Sequence, residues 1–169
     1  MISERSDKIV DKLNITEAKK AKLVSGMIAA HYSELNDIYS KRDDAKKNIK
    51  ALLAPNKPSE DAMKKIEENV AFSIDSLHPI FLKLLATQLN EKQVIQIKDG
   101  LTYSVLHLTY NAYLEELPDL KENRKAQLMT WLLEAREHAM DAESSEKNMP
   151  GSGNLKEELI TTCPKKDMI

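Results

Sequence analysis

Apolar positions recur at alternating steps of three and four through most of the chain, the spacing that lays a stripe along one side of an α-helix. Between Thr16 and Leu53 the stripe is Val24, Ile28, Leu35, Ile38, Ala45, Ile49 and Leu52, with His31 and Arg42 in the same register. Nothing there breaks a helix, so the pattern predicts a rod of about 57 Å, with Thr16 as its N-cap and Glu17 at its positive end. A shorter helix precedes it over about Ser3–Leu13, carrying Ile2, Ile9, Val10 and Leu13 on one side. Ala54 to Pro58 ends the rod, and Ser59 caps a second one whose face is Ala62, Ile66, Val70, Ile74, Leu77 and Phe81. So short a link predicts an antiparallel hairpin, with a charged tip over Lys41 to Glu68 and a kink or split at Pro79.

Beyond the hairpin the elements shorten. Asn90 and Gln93 have capping-box spacing, and Gly100 is the expected C-terminal cap of the helix they open. Leu101–Val105 alternates in polarity and reads as extended. A helix over about Thr109–Glu116 turns Tyr110, Tyr113 and Leu114 inward, and a last one over Glu122–Asp141 carries Leu128, Trp131, Leu132, Ala135 and Ala139, with Trp131 as a core anchor. After Lys147 the periodicity stops.

Composition supports an all-α reading, since only Gly26 and Gly100 occur before residue 150, too few for the turns of a β-rich domain. The expected fold is a single domain over 1–147, a long antiparallel helical hairpin packed on a smaller cluster of helices, with an irregular, disordered C-terminal tail over 148–169. The 25 Lys and Arg balance 27 Asp and Glu, which removes the electrostatic case for nucleic acid. One cysteine, Cys163, excludes an internal disulfide framework and a Cys-rich zinc module. No apolar run approaches the roughly 20 residues of a membrane helix, so no membrane insertion is expected. The polar start lacks a signal peptide, and the sequence as given would stay cytoplasmic.

The strongest polar constellation is Glu134, Arg136, Glu137, His138 and Asp141: Glu134–His138 and Glu137–Asp141 are four apart and His138–Asp141 three, which sets those pairs side by side on a helix. A carboxylate beside an imidazole can bind metal or move protons; the same residues near a helix C-terminus also form ordinary ion-pair faces. A candidate binding rim is Tyr103, His107, Tyr110 and Tyr113. His31 reads as a buried histidine, Arg42 as an ion-pair partner of Asp37 or Asp43, and His78 as part of the Pro79 kink. There is no HExxH, P-loop, nucleophile elbow or GxGxxG. No catalytic residue, metal or cofactor is therefore assigned.

The segments Leu35–Ile38, Lys98–Tyr103 and Glu134–Asp141, with Ser144–Lys147 beyond, resemble the domain-of-unknown-function family three-eight-two-six over about Ser3–Lys147. That resemblance implies an exported, periplasmic helical protein of polysaccharide-degrading gut Gram-negative bacteria. It assigns no role to any residue. Members usually carry a signal peptide and continue past the Ser-Ser-Glu-Lys run into a segment like HAWFGKYKGRINNYL, neither of which is present here. Back-translated with permitted codons and read two bases later, the tail from Asn148 gives HAWFGKFKGRINNYLSKKGYD, so 148–169 reads as a frameshift product. Leu89–Gln93, and less closely Leu120–Arg124, are similar to the LTxxQ signature of periplasmic helical chaperones.

The leading expectation is thus a non-catalytic exported protein serving polysaccharide utilisation by binding a protein partner or a glycan. The alternatives are a periplasmic chaperone, or a glycan-active or metal-dependent enzyme built on the Glu134–Asp141 cluster. Resequencing the locus tests the frameshift: DNA that encodes the present tail in an intact frame ends it. Loss of a Trp-Phe anchor would cost roughly 3–5 kcal/mol against a typical stability of about 5–15. A marginal protein is expected, which a reversible melt of high stability would contradict.

Overall fold

The computed structural model describes residues 2–52 and 60–143. The expected link at Ala54–Pro58, the Ser59 cap, Ser144–Lys147, Cys163 and the whole 148–169 tail lie outside the described residues. Among those described, six α-helices account for the fold and no strand occurs: α1 (Ile2–Asp11), α2 (Ala18–Leu52), α3 (Glu60–Ala86), α4 (Glu91–Leu101), α5 (Val105–Glu116) and α6 (Glu122–Met140). The chain is all-α. It divides into two compact units, Met1–Val94 and Ile95–Ile169.

The first unit is built on α2, about 52 Å long at 1.5 Å per residue. His31 of α2 stacks flat on Phe81 of α3, centroids 3.8 Å apart and planes 3° from parallel. Lys46, fifteen residues further along α2, pairs with Glu67, fourteen residues earlier in α3. Contacts that climb one helix while descending the other define an antiparallel hairpin. The same logic places α1 antiparallel to α2: Arg5 lies over the Tyr32 ring at 5.0 Å, and Ser25 Oγ donates to Asp7 Oδ1 at 2.5 Å. Ile9, Val10 and Leu13 are buried, whereas Ile2 is exposed. Ser6 is buried too, its hydroxyl satisfied by the carbonyl of Ile2 at 3.0 Å.

The core of this unit is concentrated at one end. Val24, Ser25, Ile28, His31 and Leu35 of α2 are buried, as are Phe81 and Leu85 of α3, while residues 36–51 and 60–80 include no buried side chain. The hairpin therefore continues beyond its core as a two-helix arm, with Ile38, Ala45, Ile49, Ile66, Val70 and Ile74 only half-covered. Arg42 there pairs with Asp43 (Nε 2.8 Å, Nη2 2.7 Å) and lies over the Tyr39 ring, so the ion-pair reading of Arg42 holds.

Local chemistry explains three departures from the expected boundaries. The helix α2 starts at Ala18, and the carbonyl of Glu17 accepts its first bond, from Ala21; the cap position thus falls on Glu17, one residue after Thr16. Pro79 does not split α3, which runs through it to Ala86. Its missing N–H removes one backbone bond, and the buried Phe81 and Leu85 anchor the helix just beyond it. Leu101–Val105 is not extended. It holds the end of α4, a turn and the start of α5. The capping box is present: Gln93 N–H donates to Asn90 Oδ1 at 2.9 Å and Asn90 N–H to Gln93 Oε1 at 3.2 Å.

In the second unit, Leu106 of α5 packs with Leu128 and Leu132 of α6, flanked by Tyr110, Tyr113, Leu120 and Met129. Ile97 and Leu101 of α4 are also buried. Trp131, expected as a core anchor, is only half-buried, beside a shallow apolar depression lined by Tyr113, Leu117, Leu120 and Leu128.

Truncating the buried face should far outweigh truncating the outer one. Phe81→Ala should cost about 3–5 kcal/mol, and Phe72→Ala, at an exposed site, about 0.5 or less. Urea unfolding followed by helical circular dichroism measures both.

Candidate functional site

The buried row of α6 is Leu128, Leu132, Arg136 and Met140, each four residues from the last. An arginine in an apolar row must find its charge partners inside the protein. Arg136, its side chain 7% exposed, donates from Nη1 to Asp99 Oδ1 of α4 at 2.9 Å. Its Nη2 reaches Glu137 Oε1 at 3.4 Å, and its buried Nε makes no hydrogen bond. Lys98 Nζ donates to the other oxygen of Glu137 at 2.5 Å. The second oxygen of Asp99 accepts from His107 Nε2 of α5 at 3.3 Å. The result is a continuous chain of polar contacts, His107–Asp99–Arg136–Glu137–Lys98, that ties α4, α5 and α6 together and surfaces at the exposed imidazole.

The turn between α4 and α5 shapes the same surface. Ser104 N–H donates to Asp99 C=O at 2.7 Å, and Tyr103 N–H to Gly100 C=O at 3.4 Å. These are the two bonds of a Schellman motif, in which the residue after the cap takes a left-handed conformation and is usually glycine. Here it is Tyr103, at φ 54°, followed by Ser104 at φ 57°. Gly100 is not the cap; it lies inside α4, which continues to Leu101. A bulky side chain in that region is strained by roughly 1–2 kcal/mol, and such strain gathers at functional positions. Tyr103 is 61% exposed.

The anticipated residues divide accordingly. Of the polar cluster, Arg136 and Glu137 join Asp99 and Lys98. Glu134 and His138 stay on the exposed side of α6, with no hydrogen bond between them among the described residues. Asp141 is buried at the helix end, its N–H donating to His138 C=O at 3.3 Å. Of the rim, Tyr103 and His107 are exposed, while Tyr110 and Tyr113 pack on Leu106, Leu128 and Leu132. Among the described residues no group of three or more His, Cys, Asp or Glu side chains is placed to hold a metal ion. Lys125 is a bystander on α6: the hydrogen bond and charge of Glu122 raise its pKa, as in an ordinary exposed pair three residues apart.

Lys98 and Asp99 are the site residues that spacing did not single out. They stand 37 to 39 positions from their partners, beyond the reach of any local pattern. The available signal was that Lys98–Tyr103 and Glu134–Asp141 both carry the family resemblance and have opposite charges to exchange.

Two substitutions separate support from presentation. Arg136→Ala should destabilise by about 3 kcal/mol or more, because Asp99 then loses its buried counter-charge. Tyr103→Gly should stabilise by about 1 kcal/mol through relief of the left-handed strain. Chemical denaturation of each variant checks both signs.

Residues 1–156 match the family described as "Protein of unknown function (DUF3826)". No curated protein matches the chain. The match covers well over half of the sequence, and the chain belongs to that family.

Proposed function

We propose that this member of the DUF3826 family is a non-catalytic binding protein of polysaccharide utilisation, exported to the periplasm, and that Tyr103 and His107 form its contact surface for a saccharide. The setting rests on the family resemblance of the sequence. The surface rests on one observation: an exposed tyrosine is held in a conformation that glycine would adopt without strain. An aromatic ring offers a flat apolar face to the C–H face of a sugar, and its hydroxyl can hydrogen-bond at the edge. His107, oriented by Asp99, adds a directional donor or acceptor four residues away. The Arg136 network beneath supplies rigidity, which keeps the ordering penalty on binding small.

Calorimetry against a panel of polysaccharides and their oligosaccharides tests the reading. Tyr103→Gly and His107→Ala should each weaken binding roughly tenfold or more with helix content unchanged. Equal binding by wild type and Tyr103→Gly, or no binding by wild type, removes the proposal. Turnover of a panel glycan that His107→Ala abolishes would replace it with an enzyme.

A further inference from the structure

The outward face of α3 carries the most exposed large apolar side chain of the described residues, Phe72 at 75%, with Ile80 at 63% and Leu84 also exposed. Phe72, Ser76 and Ile80 follow one another at steps of four and span about 80° of the helix circumference. The two serines of this stretch have turned their polarity inward: Ser73 Oγ donates to Asn69 C=O and Ser76 Oγ to Phe72 C=O, each at 2.8 Å. A satisfied hydroxyl can be covered without a desolvation penalty for a missing bond. Pro79, on the same side, has no N–H to bury. Phe72, Ser76, Pro79 and Ile80 thus make just over two turns of helix surface that another molecule can cover without stranding a side-chain donor.

We propose that this face pairs with itself: two copies of the chain associate through α3, antiparallel, about a two-fold axis at Ser76. The charges choose the occupant. In an isologous contact each residue meets the one equally far on the other side of the axis. Phe72 then meets Pro79 and Ile80 of the second copy, and the small Ser76 lies against its own equivalent, where close approach is needed. Glu68, eight residues before the axis, comes beside Lys83, seven residues after it and on the same edge of the helix. The pair forms twice. Within the chain, Glu68 contacts only Lys64 among the described salt bridges, at 3.9 Å and on the exposed surface, a weak claim on its charge.

The symmetry gives a decisive test. Sedimentation velocity on the full chain over a wide concentration range should show a monomer–dimer equilibrium. Phe72→Glu should weaken it at least roughly tenfold, with circular dichroism unchanged because the side chain is exposed. Glu68→Lys sets lysine against lysine in its homodimer, and Lys83→Glu sets glutamate against glutamate, so each variant alone should associate roughly tenfold more weakly. Mixed together, they regain both attractive pairs, and a heterodimer of near wild-type affinity should form. A wild-type chain that stays monomeric throughout overturns the proposal, as does a mixture that does no better than its components. If a monomeric wild type instead holds an unfolded client and Phe72→Glu loses it, the face belongs to that client and the dimer is wrong.

Discussion

Arg136 occupies a place in α6 that the helix periodicity reserves for an apolar side chain, and it can do so only because Asp99 meets it. Removing an unpaired guanidinium from water is prohibitive, whereas a hydrogen-bonded pair roughly offsets the loss. The pairing therefore fixes more than one contact. It sets the register of α6 against α4, and through the second oxygen of Asp99 it positions the first turn of α5. Leucine at 136 would fill the row but leave the Asp99 carboxylate without its counter-charge. It would specify neither partner.

The α4–α5 turn lies directly above this anchor and shows the opposite economy. Asp99 contributes its side chain to Arg136 and His107 and its carbonyl to Ser104. One residue thus closes both the ion network and the turn that holds Tyr103 in its unfavourable conformation. Strain of this kind persists only where surrounding bonds over-determine the backbone, and the shared use of Asp99 provides that condition. Rigidity below and strain above belong to one arrangement.

Much of this was legible in the sequence, and the exceptions have physical causes. The periodic stripe in α2 and α3 gave the hairpin, and Asn90 and Gln93 gave their cap, because these signals are local. The apolar stripe of α6 includes Leu128 and Leu132 of the buried row but passes over Arg136, since a charge at a core position becomes intelligible only once its distant partner is known. Propensity points to Gly100 as the helix end, where conformational freedom is cheapest; Tyr103 takes the left-handed position because the bonds to Asp99 and Gly100 outweigh propensity. Of the candidate site, Arg136 and Glu137 stand out as members of one polar group, but their pairing does not, since adjacent helix residues do not face each other. Lys98 and Asp99 do not stand out at all, since only tertiary structure brings α4 to α6.

The hairpin arm has a consequence of its own. Its buried contacts end near Leu35 and Phe81, and beyond them, among the described residues, each turn of α2 is held by little more than the facing turn of α3. Opening such a ladder from its far end gives up one rung at a time, whereas opening it near His31 disrupts the whole packed base. Amide protons should accordingly exchange along a gradient, fast in the outer rungs and slow at the stacked imidazole, so that one uninterrupted helix spans both a pliant and a rigid regime.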